Sequence, residues 1–167
     1  DAGSDYISWG YWAKIDSDSA NAINPLSTWV AGVETVASEM TSLLTDTTPY
    51  TYDGSIRGAV LIYSGGTFPI IESASSITMN IVFQTGVIDG SMNIKYDNGS
   101  QQNFGTVSFN QAIVGIQNGY TIDTFTSIHD GTINGKFYGP NAKTTAGSFD
   151  IVDESLNKAI GVFKATR

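Results

Sequence analysis

The run Ile77-Thr78-Met79-Asn80-Ile81-Val82-Phe83-Gln84 and its continuation Val87-Ile88-Asp89-Gly90-Ser91-Met92-Asn93-Ile94-Lys95-Tyr96 decide the fold. Ile77, Met79, Ile81 and Phe83 fall on one side of an extended chain, and Thr78, Asn80 and Gln84 fall on the other. After the interruption at Gly86 the alternation resumes, with Ile88, Met92, Ile94 and Tyr96 inward and Asp89, Ser91, Asn93 and Lys95 outward. Period-two alternation is the pattern of strands with one buried face. Asp97-Asn98-Gly99 can take positive φ and reverse the chain.

Working outward, the same rhythm predicts strands at Tyr6–Ile15, Tyr52–Tyr63, Phe104–Asn110, Tyr120–Ile128, Gly131–Tyr138, Thr145–Val152 and Ala159–Ala165. In the first of these Ile7, Trp9, Tyr11, Ala13 and Ile15 share the apolar side, and Trp12 breaks the pattern. Asp130-Gly131 is expected to turn between two strands, and Asp153 to Lys158 is expected to join the last two. One segment departs from the rhythm. Val33, Val36, Ala37, Met40, Leu43 and Leu44 have the i, i+3, i+4, i+7 spacing of a short amphipathic helix over Val33–Leu44. Thr35 would cap a late start, and Asp46-Thr47-Thr48-Pro49 would end it.

About eight strands with short connections fill the last two-thirds of the chain. The expected fold is all-β: an eight-stranded antiparallel up-and-down β-barrel, with an N-terminal strand and one short amphipathic helix. With 167 residues and no visible internal linker, residues 1–167 are expected to form a single domain.

Composition narrows the function. Lys and Arg total 8 against 16 Asp and Glu, a net charge of −8, which removes the counterion-release force of nucleic-acid binding. No apolar run approaches the roughly 18 residues of a membrane-spanning helix. Cysteine is absent, which excludes disulfides, thiol catalysis and thiolate metal sites. The opening Asp1-Ala2-Gly3-Ser4 is not a signal peptide and reads as a mature or excised start.

The C-terminal third carries Gly135-Lys136-Phe137-Tyr138-Gly139-Pro140-Asn141-Ala142, then Gly147-Ser148-Phe149 and Gly161-Val162-Phe163. This text resembles the barrel domains of the transferrin-binding protein B family, bacterial surface lipoproteins whose barrels repeat a G-x-F-Y-G-P-x-A … G-x-F pattern. Trp9-Gly10-Tyr11-Trp12, Trp29-Val30-Ala31-Gly32 and Thr51-Tyr52-Asp53-Gly54 are similar to related barrels of large secreted or surface proteins. The resemblance implies a bacterial surface or extracellular location and partners ranging from host transferrin to complement regulators and haem. The lipid-bearing cysteine and second lobe of larger members have no counterpart here, so lipid attachment and two-lobed binding are not carried over. In physical terms, alternation puts Gly135, Phe137 and Gly139 inward and Tyr138 outward. Pro140 ends the strand because it donates nothing to a ladder.

Motifs for catalysis are weak. There is no G-x-S-x-G elbow, and no carboxylate pair is placed for acid–base work. Gly65-Gly66 precedes Thr67-Phe68-Pro69 and reads as a loop rather than a phosphate cradle. Asp16-Ser17-Asp18-Ser19 alternates oxygen ligands as some calcium loops do, but lacks an EF-hand's glycine and terminal glutamate, and reads as a solvated loop. The single histidine, His129, could serve as a haem ligand or a base, against the simpler reading of an exposed turn residue. The inward residues Ile77, Met79, Ile81, Phe83, Ile88 and Met92, with Ile94, Phe137, Phe149 and Ile151, are large enough to fill the interior rather than leave a ligand cavity.

The remaining candidates are aromatics on the polar faces, Trp12 and Tyr138. Large exposed aromatics anchor protein interfaces. The competing expectation is that the Val33–Leu44 helix lies over both rings. The sequence thus points to a non-enzymatic, secreted or surface-displayed binding module with no cofactor and a protein ligand, with Trp12, Tyr138 and His129 as ligand-binding candidates. It would act as a monomer or as part of a larger polypeptide, at the cell surface or outer membrane. The alternatives are a structural spacer of a larger adhesin or secreted polypeptide and a haem or small-molecule carrier.

Overall fold

The computed structural model describes residues 6–15, 23–113, 118–126 and 128–167. Two antiparallel strands, β1 (Ile7–Ile15) and β2 (Ile23–Gly32), form a hairpin. A short helix, α1 (Ala37–Leu43), follows. Eight strands then make one antiparallel sheet: β3 (Tyr50–Leu61), β4 (Ser76–Val82), β5 (Val87–Asp97), β6 (Gln101–Ala112), β7 (Gly119–Phe125), β8 (His129–Tyr138), β9 (Thr144–Asp153) and β10 (Lys158–Thr166).

The spatial order β6-β5-β4-β3-β10-β9-β8-β7 is an up-and-down meander in which the last strand pairs with the first of the eight. It curls into a nearly closed barrel. Among the described residues β6 and β7 share no ladder, and side chains close the seam. Gln111 Oε1 accepts the Asp123 backbone N–H at 2.8 Å. The His129 ring rests on Phe104, with ring centroids 5.5 Å apart.

The alternation of β4 and β5 holds in three dimensions: Ile77, Met79, Ile81, Phe83, Ile88, Met92 and Ile94 are all buried. Phe137, Phe149 and Ile151 join them, so the interior is filled by side chains. Inward glycines make room for the rings. A Cβ at Gly135 would stand 2.3 Å from the Tyr120 ring, and one at Gly161 would stand 2.6 Å from Phe149. The recurring Gly-x-Phe text is therefore a packing rule: Gly135 and Gly161 each seat an aromatic from a neighbouring strand, and Gly147 lets the Asn134 backbone approach, since a Cβ there would stand 1.8 Å from Asn134 O. Tyr120 also bonds Thr145 Oγ1 at 2.6 Å, and burial pushes its phenol pKa up.

Several expectations are corrected. Asp130-Gly131 lies inside β8 rather than at a turn; the reversal falls just before it, where the Thr126 N–H bonds His129 O at 2.9 Å. Gly131 is needed for a close approach, since a Cβ there would lie 2.1 Å from Asp150 O. The helix starts four residues later than its apolar spacing suggests. Residues 33–35 instead run as an extension beside the end of β8, with Thr35 N–H donating to Phe137 O at 3.0 Å and Gly139 N–H to Val33 O at 2.9 Å. Thr35 is no cap; its hydroxyl donates to Gly139 O at 2.8 Å in a buried bond. The N-terminal strand is also one of a pair.

Candidate functional site

Two faces distinguish the hairpin. Ile7, Trp9 and Val30 face the barrel, where Ile7 packs with Tyr138 and Ala146, and the Arg57 guanidinium lies 4.7 Å from the Trp9 ring centroid. The segment after β2 is pinned as well. Lys136 Nζ stands 2.6 Å from Glu34 Oε1, and Asn118 Nδ2 donates to Glu34 Oε2 at 2.7 Å. The bond to Glu34 raises the Lys136 pKa.

The opposite face looks away from the barrel. Register places Trp12 opposite Ser27, Gly10 opposite Trp29 and Ser8 opposite Ala31. Trp12 is 65% exposed and lies 6.5 Å from Trp29, with the rings tilted by 32°. Gly10 supplies the bare patch on which the Trp29 ring rests, 3.4 Å from where a Cβ would be. Around these two rings the neighbours Ser8, Ser27 and Ala31 carry no charge, so the two indoles form an aromatic platform.

Tyr138 does point out of the barrel, as alternation requires, but the hairpin covers it and leaves it buried. Burial raises its pKa, with a further push from Glu34. The two outward aromatics thus separate: one is the hairpin's seat and the other stands uncovered. The expected cover, α1, reaches neither. Its buried residues, Met40 and Leu43, close the barrel end near the short 3-10 turn Pro140–Ala142.

His129 is not an exposed turn residue. It opens β8 on the inward side, is buried, and leaves Nδ1 without a hydrogen-bond partner. The reversal that exposes its neighbours comes earlier than the sequence suggests, which is why it turns inward. Asp16 and Asp18 lie outside the described residues. No cluster of metal-ligating side chains occurs among the described residues.

A surface cleft of about 610 Å³ runs between Thr28 and Val30 of the hairpin and the outward ladder Thr121, Asn134 and Ser148 on the barrel wall. A second opening lies under α1, where the Tyr50 hydroxyl bonds Asp46 at 2.5 Å and the Thr48 N–H bonds it at 2.8 Å. These bonds hold the Asp46 carboxyl down to about 2.

Sequence reasoning missed a second exposed apolar group, Tyr63, Ile128 and Leu156, at one pole of the barrel. Leu156 stands out as the lone apolar residue in an otherwise polar connector, but nothing local joins it to Tyr63 and Ile128.

The fold and its decorated outer face define a lobe-type barrel, an eight-stranded meander with an N-terminal hairpin laid against its wall. Residues 44–167 match the family model of the C-lobe and N-lobe β-barrels of Tf-binding protein B, and the chain belongs to that family. No curated protein matches the sequence. Among solved structures it is similar to a double mutant of transferrin-binding protein B from Haemophilus parasuis, with TM-score 0.69 and 18% identity over 98% of this chain and 33% of that one. The isotype 1 transferrin-binding protein B of Neisseria meningitidis matches with TM-score 0.63 and 20% identity, over 98% of this chain and 32% of that one. The N-lobe domain of lactoferrin-binding protein B from Moraxella bovis matches with TM-score 0.51 and 11% identity, over 99% of this chain and 77% of that one. The chain therefore spans about a third of the length of the two transferrin-binding proteins.

Proposed function

We propose that this domain is a non-enzymatic binding module, displayed on a bacterial surface or secreted, that holds a protein ligand on the outer face of its β1–β2 hairpin. The observation that carries this reading is Trp12, a tryptophan 65% exposed beside a second tryptophan on the hairpin's outer face. Tryptophan is the residue type most enriched among interface hot spots, and burying such a ring against a partner contributes far more than a rim charge does. A rigid barrel beneath the hairpin holds the rings in place, which limits the entropy lost on binding. The transferrin- and lactoferrin-binding names of its structural neighbours make those two proteins the first ligands to try.

The test immobilises the wild-type domain and a Trp12→Ala variant and exposes both to purified transferrin, purified lactoferrin and vertebrate serum. Wild type is expected to retain a protein that the variant retains at least about tenfold less well, corresponding to about 1.4 kcal/mol or more. Equal retention by both would remove the hairpin face from the account. Retention of nothing by either would favour a structural spacer within a larger polypeptide.

A further inference from the structure

Three exposed apolar side chains stand on three separate turns at the pole opposite α1. Tyr63 is 66% exposed, Leu156 56% and Ile128 47%. Hydrogen bonds tie these turns into one surface. The Tyr63 N–H donates to Asn157 Oδ1 at 3.1 Å, beside Leu156, and the Glu154 N–H donates to Ile128 O at 3.2 Å.

The turn bearing Leu156 is built to hold it. Asp153 Oδ1 accepts the backbone N–H groups of Ser155 and Asn157, each at 2.9 Å, and Asp153 Oδ2 accepts Asn157 Nδ2 at 2.9 Å. Within this frame Leu156 sits at φ +64°, a left-handed conformation that glycine and asparagine adopt far more readily than leucine. A leucine that is both conformationally strained and exposed contributes little to folding. Strain of this kind at an exposed anchor points to function.

Charge selects the occupant. Asp130 and Glu154, both exposed, lie within two residues of Ile128 and Leu156. The nearby ammonium of Lys158 is paired with Asp150 at 2.8 Å. The whole chain carries −8, so a second copy or an anionic bilayer would be repelled from this pole. We infer that Tyr63, Ile128 and Leu156 form a second docking surface, distinct from the hairpin face, for a basic protein segment that carries apolar anchor residues. This surface does not depend on the hairpin reading.

The test uses the full 167-residue chain and three synthetic peptides of equal length, built from Leu and Lys, from Ser and Lys, and from Leu and Glu. Binding is read by fluorescence anisotropy and by amide chemical shifts. The Leu/Lys peptide is expected to bind, to shift the resonances of Tyr63, Ile128 and Leu156, and to weaken as salt is raised. Leu156→Asn is expected to weaken it at least about tenfold while leaving the melting midpoint equal to or above that of wild type, since asparagine relieves the left-handed strain. Trp12→Ala is expected to leave this binding unchanged. The inference fails if the Leu/Lys peptide does not bind, or if Leu156→Asn binds it as tightly as wild type does. Equally tight binding of the Ser/Lys peptide would show a pure charge effect and overturn it. Adsorption to phosphatidylglycerol vesicles or self-association through this pole would overturn it too.

Discussion

Phe137→Ala is expected to destabilise the domain by about 3–5 kcal/mol, through lost burial plus an unfilled cavity. The Phe137 ring is fully buried, and its centroid lies 5.1 Å from Phe83, 5.3 Å from Tyr120 and 6.3 Å from Tyr52. Those three rings come from the turn just after β4, from β7 and from β3, so truncation loosens contacts that span the barrel. Each aromatic contact adds roughly 0.5–1.5 kcal/mol beyond its burial. At 2–4 °C per kcal/mol for a domain of this size, the thermal midpoint should fall by about 10 °C. Phe137→Leu keeps most of the volume and should lose much less. An unchanged melt for the alanine variant would mean that the motif strand does not face inward.

The second large effect concerns a residue with no side chain. Gly161→Val is expected to cost about 3 kcal/mol, the upper end of the range for overpacking. A Cβ at position 161 would stand 2.2 Å from Arg57 O and 2.6 Å from the Phe149 ring. The ring could turn, but the carbonyl belongs to the β3–β10 ladder, where Gly161 pairs with Gly58 and Val162 with Arg57. Relief therefore requires separating the two strands that close the meander. The double variant Gly161→Val/Phe149→Ala, which removes the ring, should recover little, because the backbone clash remains. Thermal melts of the single and double variants check this, and full recovery in the double variant would locate the conflict in the side chain alone.

These two residues also show what the sequence makes legible. Wherever the barrel interior and the solvent sit on opposite sides of one strand, alternation reports it, and Ile77 through Ile94 could be assigned face by face. Asp97-Asn98-Gly99 was readable for the same local reason, and Gly99 takes φ +80°. What could not be read was set by distant partners. Strand β2 carries Pro25 and no clean alternation, because its identity comes from pairing with β1. Val33 and Val36 fit the helical spacing, yet both are exposed, since the chain there is drawn into extension by the Phe137 and Gly139 backbone. Tyr138 was correctly placed outward, but nothing local shows that a hairpin over 100 residues earlier in the chain would cover it. His129 turns inward because the reversal falls before it, at Thr126.

The candidate sites follow the same division. Trp12 was detectable as an apolar residue on a polar face. The pole of Tyr63, Ile128 and Leu156 was not, because only the fold brings three turns together. The family text and the exposed tryptophan also lie in different parts of the chain. Phe137, Phe149 and Phe163 build the barrel, whereas the exposed tryptophan sits in a segment that the 44–167 family match does not include.

The most direct test of the central claim is acrylamide quenching of tryptophan fluorescence, comparing wild type with Trp12→Phe. Trp9 lies beneath Arg57, and Trp29 is partly covered where it rests over Gly10. The account predicts that wild type contains a strongly quenched component that disappears in Trp12→Phe, and that ligand binding protects this component. A Trp12 signal shielded from acrylamide in the free domain would contradict it, because the aromatic platform would then be covered before any partner arrived.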